Sequence, residues 1–228
     1  MTEARPRVLV VRGGWSGHEP VETSDRVAAL LGASGCDTIV SGSLEIYADH
    51  AQMAGFDLVV QCWTMGEIAP GQLEGLLRAV RSGTGLSGWH GGLCDAFRGA
   101  PEYQFMTGGQ WVAHPGGKIE YDVHFDPDRS DDPLIAGLAD FTIRSEQYYL
   151  HVDPSNDVLA TTTFHADDDF PWIEGCVMPV VWRRTYGAGR IFYSSLGHDA
   201  GEFDLPQVSE LIVRGSLWAM RGSSAGAP

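Results

Sequence analysis

A chain of 228 residues, 43% of them hydrophobic and 20% charged, can bury one ordinary core. Its net charge is −15, fifteen Lys and Arg against thirty Asp and Glu, which excludes general nucleic-acid binding and a polybasic membrane contact. No apolar run nears the ~20 residues that span a bilayer, residues 1–6 lack a secretory pattern, and Cys36, Cys62, Cys94 and Cys176 are too scattered for a zinc knuckle or a disulfide framework. A reduced, cytoplasmic protein is expected.

The first ninety residues alternate strand and helix. Residues 7–11 read as a buried strand and 20–32 as a helix with Val27, Leu30 and Leu31 on one face. Strands follow at 36–40 and 56–62. A helix at 70–80 has Pro70 at its start and Leu73, Leu76, Leu77 and Val80 at helical spacing; 85–89 is the next strand. Such alternation implies a parallel sheet with helices on both faces. Residues 91–117 read as loop-rich. Residues 119–125, 141–144, 148–152 and 158–164 look like strands of mixed or antiparallel pairing, and 131–138 like a capped helical turn. Residues 178–186 and 190–195 flank Gly187-Ala188-Gly189 as a hairpin, and 205–220 form a closing amphipathic helix. The expected organisation is one domain over 1–221 and a frayed tail over 222–228.

Three histidines each stand where an apolar strand gives way to a glycine-containing loop. His18 lies in Gly13-Gly14-Trp15-Ser16-Gly17-His18-Glu19, His90 in Gly88-Trp89-His90-Gly91-Gly92, and His198 in Leu196-Gly197-His198-Asp199. If their strands are parallel neighbours, the three imidazoles meet at the carboxyl edge of the sheet, where open α/β sheets bind ligands. The His90 segment reads as a sharp strand-to-helix turn. Gly14, Gly91 and Gly92 would let backbone approach a ligand, although a glycine pair alone would merely permit a tight turn. The Gly13–Glu19 spacing matches neither a dinucleotide fingerprint nor a P-loop, so no nucleotide cofactor is expected.

Imidazoles in this setting suit acid–base work or metal ligation. Glu146 and Tyr148 share one face of an extended segment and could orient sugar hydroxyls, or form an ordinary strand. Asp199 is a surface acid or a ligand-binding one. Trp63, Trp89 and Trp111 are stacking surfaces or core. Glu19 reads as a cap for the helix starting near Pro20. His114, His124, His151 and His165 have no positional argument and read as surface or core residues. Cys94 is a displaced nucleophile or a small buried hydrophobe. His18, His90 and His198 with a carboxylate could also hold zinc or another divalent transition metal, but no HxH or HxxxH pair supports it.

Gly17-His18-Glu19, Gly88-Trp89-His90-Gly91-Gly92, Gly108-Gly109-Gln110-Trp111 with His114-Pro115, Asp132-Pro133-Leu134, Glu146-Gln147-Tyr148, Met178-Pro179-Val180-Val181-Trp182, Gly187-Ala188-Gly189-Arg190-Ile191-Phe192-Tyr193 and Leu196-Gly197-His198-Asp199 together resemble the ThuA-like family, named for trehalose utilisation. The resemblance covers nearly the whole chain. It implies a flavodoxin-like, class I glutamine amidotransferase-like three-layer α/β sandwich, mostly parallel with added antiparallel strands. Histidine stands where those amidotransferases hold a cysteine, so glutamine hydrolysis is not implied. The resemblance implies carbohydrate metabolism through keto-sugars, beside a sugar oxidoreductase, with His18, His90, Glu146 and His198 on recurring polar positions. Two readings stay open. One is an enzyme acting on a keto-sugar or related disaccharide derivative by histidine acid–base, metal-assisted or unassisted, chemistry. The other is a non-catalytic sugar-binding partner of the oxidoreductase. A monomer and a homo-oligomer are equally compatible with the sequence.

Overall fold

The computed structural model describes residues 4–223. Five parallel strands form its centre: β1 (Arg7–Gly14), β2 (Asp37–Ser41), β3 (Leu58–Thr64), β4 (Gly85–Trp89) and β11 (Gly189–Ser194). They stand in the order β2-β1-β3-β4-β11. Four antiparallel strands continue the sheet beyond β11, in the order β10 (Val177–Tyr186), β9 (Asp157–Thr163), β6 (Lys118–Phe125), β7 (Phe141–Glu146). A separate two-stranded ribbon pairs β5 (Gly109–Ala113) with β8 (Tyr149–Val152).

Alternation along β1 explains the layers. Val8 and Val10 pack into one core with Val27 and Leu31 of α1 (Pro20–Ala33) and Leu211 and Ile212 of α6 (Pro206–Ala219). Leu9 and Val11 point the other way, into a second core with Leu76, Leu77 and Val80 of α3 (Pro70–Arg81). A strand with apolar residues on both faces needs a helical layer on each side, which gives the expected three-layer sandwich. Three shorter helices complete it: α2 (His50–Met53), α4 (His90–Cys94) and α5 (Pro101–Thr107).

The antiparallel half leaves the plane of the sheet. β6 joins β9 through only two residue pairs, His124–Thr161 and Phe125–Ala160, whereas β6 and β7 pair along their whole length. The rest of the β6–β7 ribbon is thus free to fold over the carboxyl edge of the parallel strands, and it carries Glu146 there.

Residues 131–138 hold the expected capped turn: Asp132 Oδ1 accepts the Leu134 N–H, and the Asp132 carbonyl accepts those of Ile135 and Ala136. Two expectations are corrected. Residues 91–117 are not mainly loop: they hold α4, α5 and β5, with Pro101 opening α5 and Gly108 closing it at φ 83°. Tyr148 precedes β8 instead of starting it. Residues 224–228 of the expected tail lie outside the described residues.

Candidate active site

His18, His90 and His198 follow β1, β4 and β11, which lie together in the sheet with β3 between the first two. Strand polarity therefore delivers all three imidazoles to one edge. Glu146 arrives at the end of β7, four strands beyond β11. Along a flat sheet that is about 19 Å, yet Glu146 Oε2 is 3.2 Å from His90 Nε2. The curl of the antiparallel ribbon closes the gap.

One nitrogen of each imidazole meets the same carboxylate oxygen. Glu146 Oε2 is 3.2 Å from His90 Nε2, 3.4 Å from His198 Nδ1 and 3.6 Å from His18 Nε2. His198 Nδ1 is also 3.2 Å from His90 Nε2. All four donor atoms lie within 4.8 Å of one another, and all four residues are buried. The remaining nitrogens of two rings are engaged. His18 Nδ1 is 3.0 Å from Thr64 Oγ1, and His90 Nδ1 is 2.7 Å from the Ser195 carbonyl oxygen.

That last bond fixes a tautomer. A carbonyl oxygen only accepts, so His90 Nδ1 carries the proton and a neutral ring presents a lone pair at Nε2. Burial keeps the ring neutral, taking its pKa down to about 3. Burial alone would raise the Glu146 carboxyl, but the three imidazoles together hold it below the usual carboxylate range. His90 Nε2 and an ionised Glu146 Oε2 are therefore two acceptors in contact. Such a pair calls for a proton or a metal cation shared between its atoms.

The donor set fits a metal. Four nitrogen and oxygen donors at roughly 2.1 Å from a tetrahedral zinc stand about 3.4 Å apart. Four of the six separations, 3.2, 3.2, 3.4 and 3.6 Å, bracket that figure, and the other two lie within 4.8 Å. The outer bonds from His18 to Thr64 and from His90 to Ser195 are of the kind that orient metal-bound histidines.

The backbone around the cluster is tightly held. His90 adopts φ 47°, the sharp apex expected between β4 and α4. The Tyr193 hydroxyl donates to the His90 carbonyl, Gln61 Nε2 to that of Gly92 and the Tyr103 hydroxyl to that of Leu93, so every turn of α4 is pinned from below. Glu19, Met65 and Phe97 also have positive φ, and all three stand in loops at this same edge.

A family model described as trehalose utilisation, ThuA, matches residues 7–219. The chain belongs to the ThuA family. Membership associates it with carbohydrate metabolism. A ThuA-like protein from Bacteroides uniformis shares its fold with a TM-score of 0.78 and 15% identity, covering 100% of this chain and 97% of that one. One from Parabacteroides merdae gives 0.76 and 18%, covering 99% and 94%. A cytoplasmic protein from Salmonella typhimurium LT2 gives 0.65 and 11%, covering 94% and 100%. At these identities the likeness establishes the fold, flavodoxin-like with added antiparallel strands. No protein with a curated description matches the chain. Among the described residues no helix is long and apolar enough to cross a membrane.

In this ThuA chain other expected site residues fall into two groups. Tyr148 stacks on His90 with ring centroids 3.9 Å apart, and Trp111 lies 6.3 Å from Tyr148 with the Arg98 guanidinium over its face. Trp63 is half-buried beside Gly13. Trp89, by contrast, is core: it is buried edge-on to Phe203, so it offers no stacking surface. Gly91 and Gly92 do not admit a ligand. A Cβ on Gly91 would stand 2.6 Å from the His18 ring, and one on Gly92 would stand 2.9 Å from Cys62, so both serve close packing of α4. Gly14 serves the same end, since its Cβ would meet the Thr64 carbonyl. Asp199 is engaged by Lys118 and accepts the Glu202 N–H. Cys94 is buried, and burial raises its thiol far above the ordinary value, so it is not an available nucleophile.

Two residues were misjudged. His114, read as a surface or core histidine, stands with Nε2 3.8 Å from Glu146 Oε1 and its ring nearly parallel to that of Tyr148. The only hint in the sequence is its setting before Pro115-Gly116-Gly117 in the loop after Trp111. Glu19 does not cap α1 through its side chain; it accepts the N–H of Ala200 at 2.9 Å and so ties the His18 loop to the His198 loop.

Proposed function

We propose that this protein is a metal-dependent enzyme of carbohydrate metabolism that acts on a keto-sugar or related disaccharide derivative. The cation would be a divalent transition metal, zinc in the first instance, held by His18, His90, His198 and Glu146. The observation that carries this reading is the set of separations around Glu146 Oε2, which match the edges of a metal tetrahedron. Family membership, described as trehalose utilisation, supports a carbohydrate substrate. A bound metal of this kind polarises a ketone or hydroxyl oxygen and stabilises the charge that develops there.

The chain supplies the remaining functions. A ketone acidifies the neighbouring C–H, and its removal needs a base within reach. His114 is the imidazole outside the ligand set; its ring is over a third exposed while the other three are nearly closed off. It takes the proton from carbon and returns it to the departing oxygen. Tyr148 shields His90 from solvent by stacking on it. Trp111, held under Arg98, offers an apolar face to the sugar's C–H groups. A sugar oxidoreductase would supply the ketone, so the expected partner is an enzyme of that class acting immediately before.

Metal content by plasma mass spectrometry tests the proposal, on protein purified without chelator and after loading with zinc, manganese and nickel. Near-stoichiometric metal in the wild type, with turnover of a 3-keto-disaccharide by proton NMR, is the expected result. Protein that stays metal-free after every loading overturns the metal reading. Bound metal with no turnover across a keto-sugar panel favours the sugar-binding reading instead.

A further inference from the structure

Glu202 is a buried acid that the chemistry above does not use. It sits on the 3₁₀ turn after His198, with 6% of its surface exposed. Its Oε2 accepts two backbone N–H groups, from Gly197 at 2.8 Å and from His198 at 3.1 Å. Its Oε1 is buried facing the Ser145 hydroxyl, beyond ordinary hydrogen-bond distance. Taking a carboxyl group out of water is costly, and burial raises its pKa.

The need becomes clear when the three imidazoles are compared. His18 is steadied at its outer nitrogen by Thr64, and His90 by Ser195. Among the described residues His198 has no comparable hydrogen bond at its outer nitrogen: its Nδ1 meets His90 and Glu146, and its ring stands edge-on to those of His18 and His90. Metal-bound histidines are ordinarily oriented through the nitrogen that faces away from the metal. His198 must instead be aimed from its backbone, and that backbone is where Glu202 holds on. Gly197 adopts φ 95°, a conformation open to glycine, and a Cβ there would stand 2.8 Å from Trp89. The peptide on each side of Gly197 is thus set by one carboxylate oxygen, while the Glu19 bond to Ala200 fixes the exit of the same loop.

We infer that Glu202 is a positioning residue of the metal site, gripping the Gly197 and His198 amides so that His198 Nδ1 meets the other three donors. The inference rests on the metal reading above. It requires only that Glu202 present an oxygen acceptor, so Glu202→Gln should replace it, with the amide oxygen at the two N–H groups and the amide nitrogen toward Ser145.

Zinc affinity measured by competition with a chromogenic chelator, beside the melting temperature, tests it on the full chain. Glu202→Ala should weaken zinc binding about 10–100-fold, while Glu202→Gln stays within about threefold of the wild type. If Glu202→Ala does not fold, Glu202→Asp, whose carboxylate falls one methylene short, should show the same loss. An Ala or Asp variant with wild-type affinity overturns the inference and leaves the metal reading standing. So does a folded Gln variant as weak as Ala, because the acceptor would then not be what matters. A wild type that binds none of zinc, manganese and nickel overturns the metal reading and this inference together.

Discussion

At the scale of single residues, His90 is bound into the structure more firmly than a solvent-facing catalytic group would be. It is 1% exposed, its Nδ1–H serves the Ser195 carbonyl, and Tyr148 covers its face. Truncation therefore has two consequences. His90→Ala should abolish stoichiometric metal, and it should also destabilise the fold by about 1–3 kcal/mol, because a buried carbonyl loses its donor. Urea denaturation of the variant and the metal-stripped wild type separates the two; equal midpoints would refute the second claim. Three of the candidate ligands were legible in the sequence, since His18, His90 and His198 each stand in a glycine-containing loop after an apolar strand. His114 and Glu202 were not. Their placement depends on loops closing across the sheet edge, and no local pattern encodes which loop meets which.

At the scale of elements, close packing governs the glycines. Gly215 lies on the face of α6 against β11, where a Cβ would stand 2.3 Å from the Phe192 ring. Alanine is the better helix former by up to ~1 kcal/mol. Overpacking of this kind costs about 1–3 kcal/mol, so Gly215→Ala should lower stability despite its helical advantage. A melting temperature at or above the wild type would show that α6 can shift away from β11 freely. The parallel half was readable because its strands, α1 and α3 each repeat their own period over five residues or more. The segment 91–117 was not, because α4 spans five residues and α5 seven, too short to show a period amid so many glycines. Pro101 at the start of α5 and Gly108 at its end were the usable signals.

At the scale of the whole molecule, the four ligands come from positions 18, 90, 146 and 198, and from both the parallel and the antiparallel halves. A cation held by all four links segments that share few backbone bonds, since β6 meets β9 through two residue pairs. Binding to the folded state alone adds about 2.7 kcal/mol at a hundredfold excess over the dissociation constant. For a chain of this size that raises the melting temperature by roughly 5–10 °C. Differential scanning calorimetry with zinc and with chelator should show that difference; identical traces would mean that the metal does not hold the halves together. The order of the parallel strands followed from alternation in the sequence. The curl that brings Glu146 to the histidines did not, because it arises from how few pairs join β6 to β9.

The four non-glycine residues with positive φ, Glu19, Met65, His90 and Phe97, bear on how the protein fails. Each left-handed residue costs on the order of 1–3 kcal/mol and persists only while its surroundings over-determine it. Net folding stability for a domain is only ~5–15 kcal/mol. Strain of this total, concentrated along one edge, makes that edge the molecule's fuse. A destabilised variant should then release these loops before the sheet, losing zinc affinity while circular dichroism still reports its helices and strands; simultaneous loss of both would show that the edge is no weaker than the core.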